Sequence, residues 1–237
     1  MMVDVIRIGL LRMTELPEAA LGVHGPYLGL VEMFFDGHPV EIVDVPVHEG
    51  AAPESLDDCD GWIISGSPAS VYDDLPWIPT GEEIVRAALA AERPLVGICF
   101  GHQLVAQALG GRVEKAAVGW GIGAQRYEVV RPLPYFDGDA LTLLASHQDQ
   151  VVDVPADATV WSSSEYCPVA GLVVGERMFT VQGHPEYSPA LVAALYDSRR
   201  ERIGGAAVDA AHATLTTPLS NAAMAAAIVH LVTGNRR

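Results

Sequence analysis

A chain of 237 residues, half of them hydrophobic and 19 % charged, has enough apolar surface to bury a sizeable core and too little charge for a disordered segment. Its 30 acidic and 14 basic residues give a formal net charge of −16, which argues against nucleic-acid and anionic-membrane partners, because both reward clustered Lys and Arg; the acidic excess also serves solubility. Three widely spaced cysteines (Cys59, Cys99 and Cys167) form neither a disulfide framework nor a CxxC metal site, no basic-then-apolar leader opens the chain, and no apolar run reaches about 18 residues, so a cytoplasmic location is expected.

Residues 5–11 read as the first strand, and the Gly-, Pro- and His-rich stretch 14–25 as a loop. Helical spacing covers 27–35 and stops at Asp36–Gly37, and 40–45 is a second strand. A loop with Asp57, Asp58 and Asp60 leads to the apolar strand 61–64, which runs straight into Ser65–Gly66–Ser67–Pro68–Ala69–Ser70. Residues 82–91 make a helix and 95–98 a strand of the kind buried on both faces. This β-α-β-β-α-β-α order argues for a mostly parallel sheet covered by helices.

Past Gly110, segments 112–115, 122–130, 141–145, 151–154, 159–162 and 171–174 are short, rich in β-branched residues and separated by turns. They read as antiparallel strands at one side of the sheet. Residues 178–182 form another buried strand, ending at Gly183–His184–Pro185–Glu186. The stretch 189–202 is helical and Gly204–Gly205 breaks it. Stretches 206–214 and 219–232 read as terminal helices, with Leu219, Met224, Ile228 and Leu231 giving an apolar face that packs on its own domain or on a second subunit. No internal repeat is present, and 1–237 is expected to be one domain whose C-terminal helices span about 206–232.

The strand at 95–98 runs into Gly97–Ile98–Cys99–Phe100–Gly101, followed by a helical pattern with Leu104, Val105, Ala108 and Leu109 on one side. A glycine two residues either side of a nucleophilic residue marks a sharp strand-to-helix turn that lifts one side chain clear of a sheet. The glycines permit the tight backbone, and the helix N-terminus favours a thiolate. A cysteine after a strand is by itself more often a small core residue, which is the reading for Cys59 and Cys167. For Cys99 a second strand end shifts the balance. The C-terminal ends of parallel strands share one edge, so His184 can meet the thiol there as its base, with Glu186 orienting the imidazole. Alone, His184–Pro185–Glu186 is an ordinary surface turn.

Together, GICFGHQ, VQGHPE and ISGSPASV resemble the class I (triad) glutamine amidotransferase domain, as in the glutaminase part of GMP synthase. The resemblance spans about 5–202. It implies an α/β three-layer sandwich of the flavodoxin-like class I glutamine amidotransferase type, with a mostly parallel central sheet and short antiparallel strands. It further implies that Cys99 attacks the side-chain amide of glutamine or another γ-glutamyl compound. His184 would take the thiol proton and then protonate the departing ammonia or amine, Glu186 would hold His184, and water would release glutamate from a thioester on Cys99. The implied oxyanion donors are the backbone N–H groups of Phe100 and Ser67, the latter standing where the family has glycine. The implied substrate contacts are Gly66, Gln103 one turn after Cys99, and the loop Ser146–His147–Gln148–Asp149, whose backbone receives the amino-acid head group. Gln148 also replaces a family glycine. By sequence alone His147 and Asp149 are equally a polar turn after a strand. Gly119 matches a family glycine, with close packing its expected role.

Other polar groups keep bland readings. His24, His38, His48, His212 and His230 make no zinc pair, and no phosphate-binding glycine loop or dinucleotide fingerprint is present, so no cofactor and no metal are expected. Arg199, Arg200 and Arg202 read as a solvated helix end. The resemblance then implies a stand-alone enzyme cleaving the γ-glutamyl amide of glutamine. The partner that takes the ammonia would be a separate synthase subunit, since the chain leaves no room for an ATP-dependent synthase domain. A free hydrolase or transferase acting on γ-glutamyl amides or peptides is the alternative, and a non-catalytic regulatory or thiol-based redox module is the reading of another class. Segments 14–25, 70–81 and 116–122 are expected to line the specificity end of the site. The oligomeric state stays open.

Overall fold

The structure, a computed structural model, describes residues 5–234. Strand β1 (Ile6–Arg12) is followed by helices α1 (Glu18–His24) and α2 (Tyr27–Phe34), then by β2 (Val40–Pro46) and β3 (Gly61–Ile64). Helix α3 (Trp77–Ala90) leads to β4 (Leu95–Ile98) and α4 (Phe100–Ala108). Next come β5 (Arg112–Lys115), β6 (Gly121–Val129), β7 (Ala140–His147), β8 (Asp149–Asp153), β9 (Ala158–Ser163), β10 (Gly171–Val174) and β11 (Met178–Val181). Helices α5 (Pro189–Ser198), α6 (Arg200–Ile203), α7 (Gly205–Ala213) and α8 (Asn221–Thr233) complete the order.

The main sheet has nine strands in the order β2-β1-β3-β4-β11-β10-β9-β6-β7. From β2 to β11 every neighbouring pair is parallel. Beyond β11 every pair is antiparallel. These alternating reversals return β7 to the direction of β4 and β11, so its C-terminal end lies on the same sheet edge as theirs. The α/β, three-layer class read from the sequence is the one observed.

The apolar runs follow from burial on two faces. In β3, Ile63 belongs to the core shared with α2, α5, α7 and α8, whereas Trp62 and Ile64 belong to the core under α3 and α4. In β4, Val96 and Ile98 face the first core and Leu95 the second. Alternate residues of a strand point to opposite faces, so a strand covered on both sides is apolar throughout. The apolar face of α8 (Met224, Ile228 and Leu231) is buried in the first core, against its own chain.

Several boundaries differ from the sequence reading. Helix α1 lies where a loop was expected: Pro17 precedes it and Gly25, at φ 70°, ends it, so those residues punctuate a helix. Helix α3 starts at Trp77, not 82, because Pro79 falls in its first turn, where a missing N–H costs little. Gly81 lies beneath α4, since a Cβ there would come 2.9 Å from Leu104 Cδ2. The stretch 189–202 is two helices, parted at Arg199. Strands β5 and β8 do not join the side of the main sheet but pair as a separate two-stranded sheet. They carry Val113 and Val151 into the core beside α4, too little apolar surface for a doubly covered position. No helix of the described residues is long and apolar enough to cross a membrane.

Candidate active site

Strand β4 ends at Ile98 and α4 begins at Phe100, which leaves Cys99 alone to turn the chain. It does so at φ 52° and ψ −99°, a region that costs a non-glycine residue about 1–3 kcal/mol. The flanking glycines show what forces the turn to be so tight. A Cβ on Gly97 would sit 2.5 Å from the Gly101 carbonyl oxygen, and one on Gly101 2.5 Å from that of Ile64. The Cys99 N–H donates to the Val181 carbonyl at 2.8 Å, which ties the turn to β11. Phe100 is the first residue of α4, so its N–H has no carbonyl a turn earlier to bond and stays free at the positive end of the helix, beside the thiol.

His184 follows β11, and its N–H donates to the Leu144 carbonyl at 2.8 Å, fixing the loop to β7. Its Nδ1 donates to Glu186 Oε1 at 2.7 Å, since a carboxylate only accepts. That leaves Nε2 for Cys99, which acts electrostatically on the ring. Burial works against a charged ring here, but the Glu186 carboxylate and Cys99 outweigh it and push His184 up to about 10. The imidazole therefore keeps its proton through neutral pH, which suits a thiolate–imidazolium pair. Tyr187 stacks on the ring with centroids 3.8 Å apart and planes 6° from parallel. Glu186 Oε1 accepts a second hydrogen bond, at 2.8 Å, from the hydroxyl of Tyr27, a fully buried residue at the start of α2. Glu186 Oε2 is buried with no hydrogen-bond partner among the described residues. No sequence signal points to Tyr27, which reads only as an apolar helix position.

Gly66 stands just past β3, and a Cβ on it would lie 2.7 Å from His184 Cε1, so the imidazole fills the space a side chain would need. Ser65 holds this loop: its Oγ accepts the Met13 N–H at 2.8 Å and donates to the Gly66 carbonyl at 2.9 Å. Ser67 and Gln148, the two positions where the resemblance led to an expected glycine, have ordinary backbone, because among the described non-glycine residues only Glu92 and Cys99 have positive φ.

Gln103 Nε2 donates to the Asp149 carbonyl at 2.8 Å and to Gln182 Oε1 at 3.1 Å, and Gln182 Nε2 donates to Cys99 Sγ at 3.6 Å. A pair of amides thus links the thiol to the loop after β7. Gln182 lies inside VQGHPE, and the sequence reading gave it no role. His147 is buried, with Nδ1 donating to the Asp149 carbonyl at 3.0 Å, and desolvation lowers it to about 4, so it is neutral. Asp149 accepts from the Ser70 hydroxyl. His102 is buried too and lowered to about 3 by desolvation; its Nε2 donates to the Val169 carbonyl at 3.1 Å and its Nδ1 meets Thr180 Oγ1 at 2.7 Å, so it fastens α4 to β11. Cys59 and Cys167 are buried core residues.

Cys99, His184, Ser67, Gln103 and the residues 146–149 line one cavity of about 470 Å³, and Gly66, Phe100 and Glu186 are buried close behind it. Residues 14–17, Ser70, Tyr72 and Trp120 complete much of its rim, while the later part of 70–81 belongs to α3. Gly119 is not a close-packing glycine: it sits at φ 88° with nothing within 4 Å of where a Cβ would be, so it serves a left-handed turn. The largest correction concerns the arginines. Arg200 fits the solvated reading, paired with Asp197 and Asp209, but Arg199 and Arg202 line the cavity. Arg199 Nη1 donates to Ser146 Oγ at 3.2 Å, and the Arg202 guanidinium lies 4.7 Å from the centroid of the Trp120 ring. The break between α5 and α6 brings the half-buried Arg199 to the cavity wall, while Arg202 stays exposed at its rim, and no periodicity in the sequence announces it.

A cysteine, a histidine and a carboxylate gathered at strand ends of a three-layer sheet place the molecule among α/β proteins with triad geometry. Residues 36–194 match the family model for glutamine amidotransferase class-I, and the chain belongs to this family. Among curated relatives, Gamma-glutamyl peptidase 3 of Arabidopsis thaliana is 33 % identical, over 64 % of this chain and 65 % of its own length. Gamma-glutamyl peptidase 2 of the same plant is 28 % identical over 83 % of this chain and 82 % of its own. The glutamine-hydrolyzing GMP synthase component of Methanopyrus kandleri is 33 % identical over 69 % of this chain and 85 % of its own. The crystal structure of a glutamine amidotransferase from Thermotoga maritima shares the fold, with a TM-score of 0.80 over 97 % of this chain and 99 % of that one, at 20 % identity.

Proposed function

We propose that this protein hydrolyses a γ-glutamyl amide bond through a thioester on Cys99. The observation that carries the reading is the placement of Cys99 on a strained turn within reach of the His184–Glu186 pair, at one end of a cavity whose other end is the loop 146–149. With His184 holding the proton, the Cys99 thiolate attacks the γ-carbonyl carbon, and the backbone N–H groups of Phe100 and Ser67 receive the oxyanion. The tetrahedral adduct collapses with cleavage of the C–N bond, and His184 gives its proton to the leaving nitrogen. Water then attacks the thioester, His184 takes a proton from it, and glutamate leaves with Cys99 restored. The family supports this class of chemistry, and the names of the relatives supply two leaving groups. One is ammonia from glutamine, handed to a separate synthase subunit; the other is the amine of a γ-glutamyl peptide, released without an acceptor. Three buried free cysteines fit a cytoplasmic location.

The test is covalent labelling of Cys99 by a glutamine-like chloroketone, run beside glutamate release from glutamine and from γ-glutamyl amines and peptides. Labelling and release are expected. Cys99→Ala should lose roughly 10⁴-fold or more in rate while keeping its melting temperature. A folded protein that neither labels nor releases glutamate overturns the reading. A free hydrolase runs at full rate alone, whereas an ammonia-donating subunit is slow until its synthase binds.

A further inference from the structure

Gln182 and His184 stand two residues apart on the segment that leaves β11, and both act on Cys99. They do so from different places. His184 lines the cavity, whereas Gln182 is fully buried and is not part of the cavity wall. Its backbone N–H donates to the Ala170 carbonyl at 2.8 Å, which ties it to the segment before β10.

A buried primary amide is costly unless its donors and its acceptor are matched, and here the neighbours dictate which way it points. The Asp149 carbonyl only accepts, so the Gln103 atom that faces it at 2.8 Å is Nε2. That nitrogen only donates, so the Gln182 atom 3.1 Å from it is Oε1. Gln182 Nε2 is then the atom turned to Cys99 Sγ, at 3.6 Å. One backbone carbonyl in the loop after β7 thus sets the polarity of two side chains, and the sulfur meets an N–H rather than a C=O. An N–H gains little from a neutral thiol or a thioester sulfur and much more from a thiolate, because hydrogen bonds to charged acceptors are about twice as strong.

We propose that Gln182 holds the negative charge of the Cys99 thiolate from behind the sulfur, with Gln103 and the Asp149 carbonyl fixing its donor in place. Its part in turnover rests on the γ-glutamyl reading above. In acylation the charge leaves sulfur as the S–C bond forms. In deacylation the oxygen of water adds to the thioester carbon, and the C–S bond breaks with its electron pair on sulfur. The Gln182 N–H receives that charge, and no proton passes between the two groups. Because Gln182 lies outside the cavity wall, its contribution is the same for every leaving group.

The experiment reads the charge on sulfur without turnover. Iodoacetamide alkylates Cys99, forming an S–C bond and expelling iodide, and the rate at that residue is followed by mass spectrometry against pH. Wild type is compared with Gln182→Met, which keeps the length and loses the donor, and with Gln182→Glu, which keeps the shape and turns an oxygen to the sulfur. The titratable groups within electrostatic reach of the thiol, His184, Tyr187, Tyr127, Cys167 and Arg199, are the same in all three, as is Glu186 behind His184. A donor favours the charged form, so its loss should move the acidic limb of the rate up, by about one pH unit in Gln182→Met and further in Gln182→Glu. On γ-glutamyl-p-nitroanilide, kcat and KM of Gln182→Met should fall together by about threefold to tenfold as deacylation slows.

A limb that stays in place in the folded variants overturns the assignment, and a loss of kcat with the limb in place marks a packing role. Melting curves identify a variant that has failed to fold, and the unaltered protein then decides. With ¹⁵N-labelled glutamine, the Gln182 side-chain amide proton should shift in NMR spectra with the midpoint of the alkylation limb, and a resonance that ignores pH across that limb overturns the assignment. If the limb moves while wild type releases no glutamate from any γ-glutamyl compound, the hydrolase reading fails and Gln182 keeps its place on the sulfur. If glutamate is released and the limb does not move, the hydrolase reading stands and the role of Gln182 fails.

Discussion

The two ends of the cavity are built on different principles. At the triad end, the loops after β3, β4 and β11 are held by backbone: no Cβ fits on Gly66, Gly97 or Gly101, and Cys99 takes a positive φ. At the other end, the wall comes from the loop after β7, from Trp120 and from the junction of α5 and α6, and side-chain contacts hold it: Arg199 on Ser146 and Arg202 on Trp120. A position fixed by backbone exclusion tolerates no substitution without moving what it excludes. A wall fixed by side chains can be refitted one residue at a time. In the proposed enzyme, therefore, changes at the first end should abolish chemistry on every substrate, and changes at the second should redistribute preference among substrates.

The sharpest way to break this contrast is Glu186→Gln. His184 sits at about 10 because the Glu186 carboxylate and Cys99 overcome the cost of burying its charge. An amide cannot supply that field and permits the wrong ring tautomer, so turnover should fall by roughly 10³–10⁴-fold. The sign in pH is fixed as well. A histidine raised in the folded state stabilises the fold fully below its unfolded value of about 6.5, and the contribution is lost as pH rises through about 10. The alkaline limb of kcat/KM, which reports loss of the proton His184 must give to the leaving group, should start near pH 10 and move down towards neutrality in the variant. A limb that stays in place would detach Glu186 from His184.

Gly66→Ala tests backbone exclusion directly. The new methyl would come 2.7 Å from His184 Cε1, and the ring, stacked on Tyr187 and bonded to Glu186, can move away only by disturbing those contacts. A displacement of about 1 Å at a reacting group costs on the order of 10²-fold, so glutamate release should fall by that factor on all substrates alike. A substrate-dependent loss would blur the distinction between the two ends.

How much of this was legible in the sequence follows the same division. Short motifs around Cys99, His184 and Gly66 are local, and parallel strands deliver their C-terminal ends to one edge, so both the fold class and that end of the cavity can be read from apolar runs and glycine spacing. Arg199 and Arg202 were misread because nothing local shows that 189–202 breaks into two helices, or that β7 returns to the site edge after a run of antiparallel strands. Tyr27 was invisible for a related reason, since its partner Glu186 lies on a distant part of the chain. Helix α1 was missed because Pro17 and Gly25 mark its ends rather than a loop.

Tyr27→Phe asks whether the triad end depends on a side chain as well. The hydroxyl gives Glu186 Oε1 its second donor, and Oε2 has no partner among the described residues, so of those the buried carboxylate would keep His184 alone. The ring is retained, so packing changes little, and a loss of about threefold to tenfold in kcat with KM unchanged is expected. The split matters, because a merely structural tyrosine would lower the melting temperature and leave kcat alone.

Ser67→Gly should have the smallest effect, and it bears on the contrast from the other side. Ser67 stands next to a glycine that leaves no room for a Cβ. Its φ is not positive, its Oγ only accepts the Ala69 N–H at 3.3 Å, and its proposed role uses the backbone N–H, which either residue supplies. Glycine there therefore removes a weak turn contact and adds freedom to the unfolded chain, worth about 0.4–1 kcal/mol of stability. Turnover should stay within about twofold to threefold of wild type, a barrier change below about 1 kcal/mol. A large fall would mean that the serine side chain, and not backbone alone, sets the oxyanion donor, and the loop after β3 would then belong with the replaceable wall.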